Sequence, residues 1–296
     1  MIGYLCAYLR YYYPTEFIAS YLKNANNRDD IVNGTALAKQ FGITIKPIQF
    51  RHSSANYIPV AKEKVIYKGL SSLKYFSDDI GEKLYLLKDQ KFSSFIDFLK
   101  INPCDSRKTE ALIKLDFFSE FGKSQYLLDI YHVYETYYSR KQINKIDCPI
   151  SEEIMQQYAT VTEKQYKITD KEGFINMLCA NIKNQSIPIT TFLETQKEFY
   201  GYIDYILPDA HDIGYVLSID TKYSPKIEIY EFDTGKTTVY KLSKKDFSVH
   251  PIEPNSIIRF KYEQRFKSRK VDGKWIRINN EFEPWIVNYQ RVLNFS

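Results

Sequence analysis

Ile213-Gly214-Tyr215-Val216-Leu217-Ser218-Ile219-Asp220-Thr221 is followed by Lys226-Ile227-Glu228-Ile229-Tyr230-Glu231-Phe232, and then by Thr237-Thr238-Val239-Tyr240-Lys241-Leu242. In each run the β-branched and aromatic residues recur at alternate positions, the period of a strand that buries one face. Two further runs follow, so strands are expected over 213–221, 226–232, 237–242, 256–262 and 274–279. Turn formers separate them: Ser224-Pro225, Asp233-Thr234-Gly235-Lys236 and Asp272-Gly273. Residues 243–247, between the third and fourth strands, suit one helical turn. Five strands with a helical insert after the third is the order of an OB-fold barrel. Pattern alone leaves a small sandwich open.

Upstream the period changes to that of helices. Leu5, Tyr8, Leu9 and Tyr12 repeat at helical spacing as far as Tyr13-Pro14, where proline cannot continue the helix. Pro14 instead suits the start of a second helix carrying Phe17, Tyr21 and Leu22. A third helix is expected over 29–41, with Gly42 as its stop. Residues 43–45 and 64–67 read as short strands, and 71–138 as several short helices. The polar span 137–170 reads as a connector. Thr169 and Glu172 form a capping box for a helix that places Phe174, Met177, Leu178 and Ile182 on one face. The expected fold class is therefore α+β: a helical unit over 1–136, a connecting segment with a helix over 137–206, and the barrel over 207–296.

The composition, 44% hydrophobic and 26% charged, is that of a soluble globular protein. No apolar run is long enough to cross a bilayer, and residues 1–14 lack the pattern of a signal peptide. A cytoplasmic protein with no membrane partner is expected. Cys6, Cys104, Cys148 and Cys179 are scattered, as are His52, His132, His211 and His250, so neither a metal nor another cofactor is expected. The chain has no Asp-x-Asp pair to hold catalytic metal ions. Asp29-Asp30 and Asp78-Asp79 suit helix N-termini instead. There is also no Gly-rich phosphate loop and no nucleophile motif, so no catalytic residue is expected.

Charge is concentrated near the end. Between positions 259 and 277 lie eight basic and two acidic residues, a net +6 that exceeds the +5 of the whole chain. Arg259 and Lys261 fall on the expected fourth strand, Arg265, Lys267, Arg269 and Lys270 in the loop after it, and Lys274 and Arg277 on the fifth. Phe260, Tyr262, Phe266 and Trp275 interleave with them. Cations neutralise phosphates and aromatic rings stack on bases, which together is the chemistry of single-stranded nucleic-acid binding. Strand alternation puts Phe260 and Tyr262 in the core, leaving Phe266 and Trp275 as the stacking candidates.

Ala7-Tyr8-Leu9-Arg10, Tyr13-Pro14 and Glu16-Phe17 come first, then Gly42-Ile43, Pro47, Gly69-Leu70 and Leu73-Lys74. Phe92-Ser93-Ser94-Phe95-Ile96-Asp97-Phe98, Glu110-Ala111-Leu112-Ile113-Lys114 and Lys197-Glu198-Phe199-Tyr200-Gly201-Tyr202 follow in order. This ordered set resembles the C-terminal part of the bacterial DNA polymerase III alpha subunit: the end of the fingers, a helix-hairpin-helix region and an OB fold, without the catalytic palm. The resemblance implies a non-catalytic module that binds single-stranded or template DNA, and one version of it completes a separately encoded polymerase catalytic part. Arg107 and Lys108, ahead of the second hairpin, become candidate backbone contacts. Where the family carries glycines in the hairpin turns, this chain has Lys74-Tyr75-Phe76-Ser77 and Lys114-Leu115-Asp116-Phe117, which speaks against phosphate binding there. No glutamine of the connector is followed by the family's clamp-binding ending, so a sliding-clamp partner is not supported. The competing expectation is a polymerase-like decoy, phage-encoded in one version, that binds host replication or defence proteins.

Overall fold

The computed structural model describes residues 2–25, 27–271 and 274–292; for Ile2, Arg269, Lys270, Val271, Lys274, Trp275 and Asn279 it describes the backbone alone. The chain divides into two compact units, Met1–Ile187 and Pro188–Ser296.

The first unit opens with α1 (Ile2–Tyr12), α2 (Pro14–Lys23) and α3 (Arg28–Gln40). Pro14 stands at the first position of α2, where its missing N–H has no helical partner to lose. The Asn27 side chain accepts from the Asp30 N–H at 2.9 Å and caps α3, and Gly42 follows its end at φ +65°. Ile18, Ala19 and Leu22 pack with Ala38, Ile43 and Ile66. Strands β1 (Thr44–Lys46), β2 (Ile58–Val60) and β3 (Val65–Tyr67) form a sheet in the order β1-β3-β2, with β1 parallel to β3. Sequence reading missed β2 because Pro59 interrupts it; as an edge strand it tolerates a residue that cannot donate.

Next come α4 (Asp78–Leu86), α5 (Phe95–Leu99), α6 (Ser106–Lys114) and α7 (Ser124–Tyr137). Their core is a phenylalanine cluster in which Phe50, Phe98, Phe117 and Phe118 are fully buried. Phe98 and Phe118 lie 4.7 Å apart, centroid to centroid, and Phe50 and Phe98 meet edge to face at 5.2 Å. Such pairs add about 0.5–1.5 kcal/mol to the burial of their area. Gly81 lets α4 close on the loop at Ala55, since a Cβ there would stand 2.6 Å from the Ala55 Cα. Arg51 ties three segments, its Nε donating to Glu120 Oε2 at 2.7 Å and its Nη1 to the carbonyls of Lys88 and Gln90.

The span read as a connector contains β4 (Gln142–Asn144), α8 (Glu152–Met155), β5 (Ala159–Val161), β6 (Gln165–Ile168) and α9 (Lys171–Cys179). The strands pair in the order β4-β6-β5 over a small core of Ile143, Met155, Tyr166 and Phe174. The cap of α9 also differs from expectation. Asp170, not Thr169, caps it by accepting from the Gly173 N–H at 2.9 Å, and the Thr169 hydroxyl donates to the Tyr158 carbonyl. The helix starts one residue later than the capping-box reading assumed, which puts a glycine at the reciprocal position.

The second unit holds α10 (Ile189–Phe199), β7 (Ile213–Asp220), β8 (Lys226–Glu231), β9 (Thr237–Lys241), α11 (Lys244–Val249), β10 (Ile257–Val271) and β11 (Lys274–Arg291). The five strands close a barrel in the order β10-β11-β9-β8-β7. Strands β7, β8 and β9 form an antiparallel meander, β10 returns beside β7, and β11 closes parallel to β9. With α11 between the third and fourth strands, this is the OB-like order, and the α+β class stands. Val216, Ile227, Ile229, Tyr240, Ile258, Phe260 and Ile286 fill the barrel. The Tyr240 hydroxyl donates to Glu231 Oε1 at 2.7 Å, and burial together with that carboxylate holds the phenol protonated far above its ordinary range.

The last two strands depart most from expectation. Residues 263–271, read as loop, continue β10 as far as Val271. The fifth strand runs on to Arg291, and its pairing with β10 from Phe282 to Arg291, rather than 274–279, closes the barrel. Past the barrel the two strands form a ribbon whose side chains over 263–268 are exposed on both faces, so that stretch carries no apolar alternation and its polar sequence reads as loop. The register shifts between Phe266 and Ser268, opposite a stretch that includes Asn280 at φ +64°. The Asp272-Gly273 turn lies outside the described residues.

Candidate nucleic-acid interface

Paired residues of an antiparallel ladder share a face, so register determines what the ribbon presents. Tyr262 pairs with Ile286 and Phe266 with Phe282 on one face; Glu263 pairs with Trp285 and Arg265 with Glu283 on the other. Phe260 is buried, as alternation required, but Tyr262 is 48% exposed rather than core. It stays on the inward face opposite Ile286, at the rim where the strand leaves the barrel and the partner strand bulges at Val287, and its ring meets Tyr240 edge to face at 5.1 Å. Phe266, 44% exposed, lies 4.6 Å from the Phe282 ring, with the Arg277 guanidinium 5.9 Å from its centroid.

Besides Arg277, the cations fall into three groups. Arg259 and Lys261 are exposed and make no ion pair among the described residues. Arg265 pairs with Glu263 at 2.6 Å and Lys267 with Glu281 at 3.1 Å, both on the surface, where such pairs contribute about 0–1 kcal/mol and open readily. The side chains of Arg269, Lys270, Lys274 and Trp275 lie outside the described residues; their backbones pair across the distal ribbon, Arg269 with Ile276 and Lys270 with Trp275.

Sequence reading missed a cleft beside the ribbon. Strands β9 and β11 pair at a single register position, Lys241 opposite Trp285. Next to that seam opens a cleft of about 590 Å³ lined by Ser224, Lys241, Arg265, Arg277, Glu283 and Trp285, among others. The Arg265 guanidinium lies 4.9 Å from the Trp285 ring and the Lys241 ammonium 5.6 Å. Glu283 holds both neighbours, pairing with Lys241 at 2.6 Å and accepting from the indole Nε1 at 3.0 Å. The available signal was the tryptophan of Pro284-Trp285-Ile286, masked by a proline that argues against a strand.

In the first unit both hairpin turns keep a left-handed residue without glycine: Tyr75 at φ +69° and Asp116 at φ +58°. Packing imposes a conformation that side-chain-bearing residues seldom adopt. The Arg107 guanidinium stacks 4.6 Å from the Tyr75 ring, and Lys108 pairs with Asp105, the N-cap of α6. The hydrogen bond from Lys108 and the capping amide hold the Asp105 carboxyl below its ordinary range. At the second turn Asp116 sets a carboxyl, which burial pushes above its ordinary range, where a phosphate site would need positive or neutral donors.

Among the described residues no group of three or more His, Cys, Asp or Glu side chains could hold a metal ion, and no helix is long and apolar enough to cross a membrane. The four cysteines are free thiols. Burial pushes Cys104 up to about 12 and Cys179 up to about 11.

A helical unit with two hairpin-like turns and an OB-like barrel define the class, and direct comparison agrees: residues 42–128 match the family described as "Helix-hairpin-helix motif". More particularly, the chain is similar to part of DNA polymerase III subunit alpha. The Mycobacterium tuberculosis protein of that name is 30% identical over 138 residues, covering 45% of this chain and 12% of that protein. The Campylobacter jejuni protein is 33% identical over 130 residues (41% and 11%), and the Ureaplasma parvum protein 27% identical over 132 (43% and 14%). The chain thus matches only about an eighth of the length of these relatives.

Proposed function

We propose that this chain is a non-catalytic DNA-binding module of the replication machinery, which binds single-stranded or template DNA through the β10–β11 ribbon without sequence preference. The observation that carries the reading is the ribbon: Arg259 and Lys261 exposed at its base and in no ion pair among the described residues, Arg265, Lys267 and Arg277 exposed along it, and aromatic rings on both faces. Arg269, Lys270, Lys274 and Trp275 extend the same sequence toward its tip. Similarity to the polymerase III alpha subunit and to the helix-hairpin-helix family adds support. Arg107, stacked on Tyr75 beside the first hairpin, contributes a secondary contact, and Lys108, held by Asp105, a weaker one.

The finer reading is that the module completes a polymerase whose catalytic part lies elsewhere. Helix α1 supports it by exposing Tyr4, Leu5, Tyr11 and Tyr12, a broad apolar and aromatic face that a further polymerase part would cover. The decoy reading has one observation in its favour, the Asp116 carboxylate at the second hairpin turn.

Fluorescence anisotropy of a labelled oligo-dT across a salt series tests the proposal. Each phosphate neutralised contributes about −0.7 to the log–log slope, so four or five engaged cations give roughly −3. A slope near zero removes the electrostatic basis of the proposal. No nucleotide incorporation is expected on a primer-template with Mg²⁺; extension abolished by mutating a carboxylate of this chain would overturn the non-catalytic assignment. A decoy would show little DNA affinity, and its partner binding would map to Met1–Ile187.

A further inference from the structure

Resting on the DNA-binding reading, we propose that the cleft at the β9–β11 seam takes a single unstacked nucleobase, with Trp285 as the platform on which it stacks. The seam is held by one pair of residues, Lys241 and Trp285. The cleft that opens beside it, about 590 Å³, lies within the range of roughly 300–1,000 Å³ typical of small-ligand sites. Its chemistry is that of one nucleotide. The indole supplies a flat π-face, while Arg265 and Arg277 supply positive charge for the flanking phosphates. Glu283 fixes the platform: it accepts the indole N–H at 3.0 Å and holds Lys241 at 2.6 Å, so the ring is oriented before any ligand arrives.

Arg265 already lies 4.9 Å from the ring in the position of a stacked group. Its side chain is 47% exposed and tethered by a surface ion pair to Glu263, so an entering base displaces it at little cost. The displaced guanidinium then sits beside the incoming phosphate. A base paired within a duplex cannot enter such a cleft, so the site confers preference for single strands over duplex, which charge alone does not.

The chain has two tryptophans, so Trp275→Phe makes Trp285 the sole indole emitter in the full-length protein. Titration of this variant with oligo-dT should quench Trp285 emission in parallel with the anisotropy signal of the labelled strand. An abasic oligonucleotide of equal length should bind more weakly and leave the emission unchanged. Trp285→Ala should weaken oligo-dT binding by about tenfold or more, and Trp285→Phe by less because a ring remains; circular dichroism establishes that each variant is folded. Should Trp285→Ala fail to fold, the emission titration and Trp285→Phe carry the test alone. Oligo-dT bound by anisotropy with no change in Trp285 emission would overturn the cleft assignment and leave DNA binding standing. Quenching by the abasic strand equal to that by oligo-dT would overturn base stacking in particular. No binding of either strand would overturn the DNA-binding reading itself.

Discussion

If the ribbon and not the barrel carries the charge that matters, the two can be separated. Phe266 and Phe282 are directly paired, so residues 267–281 can be excised and the two phenylalanines joined by Asn-Gly, the preferred two-residue hairpin turn. Every barrel pair from Ile258–Arg291 to Phe266–Phe282 survives the cut, as do Ile258, Phe260 and Ile286 in the interior. The barrel should stay folded, its stability changed by no more than about 1 kcal/mol, since its pairs and interior are untouched. The excision removes Lys267, Arg269, Lys270, Lys274 and Arg277 together with Asp272 and Glu281, five cations against two acids. At about −0.7 per phosphate, loss of all five contacts flattens the salt slope by up to roughly 3.5, and loss of half of them by roughly 1.7. Affinity for a single strand should fall at least about tenfold, equivalent to about 1.4 kcal/mol. Anisotropy across a salt series on the trimmed and full-length chains reads both quantities, with circular dichroism as the check on folding. A folded trimmed protein with undiminished affinity and slope would refute a ribbon interface and move it to Arg259, Lys261 and the barrel wall.

Other consequences are more local. Phe98→Ala empties a fully buried position in the phenylalanine cluster and should cost about 3–5 kcal/mol in denaturant unfolding; a loss under about 1 kcal/mol would mean the cluster is not the packing centre of its unit. Asp105 has its folded value depressed below the ordinary 3.8 by Lys108, so its stabilising contribution is present above that value and lost as pH falls through the depressed one. Stability of the wild type relative to Asp105→Asn should therefore be constant near neutrality and decline only below about pH 4; a difference that narrows nearer pH 6 would contradict the assignment. Alkylation at pH 8 followed by mass spectrometry should modify exposed Cys6 well before Cys104 or Cys179, whose thiols are raised to about 12 and about 11; early labelling of Cys104 would show that its burial is not maintained in solution.

What the sequence determined by itself is local. Alternation over 213–242 marks strands because those strands bury one face, and Pro14 and Gly42 punctuate helices through backbone geometry that needs no partner. The positive charge of 259–277 is likewise legible without a fold. Tertiary structure decided how that charge is carried. A strand exposed on both faces has no buried side to impose alternation, so Arg265 reads as loop while its pairing with Glu283 holds it in strand. Tyr262 keeps its place in the alternation, on the face of Phe260 and opposite Ile286, yet is half exposed because the barrel ends there. Packing around the hairpins put Tyr75 and Asp116 into the left-handed region, where a sequence reader looks for glycine. Most of all, the cleft depends on one pairing between Lys241 and Trp285. Those residues are separated in sequence by a helix and most of the ribbon, and only closure of the barrel brings them together.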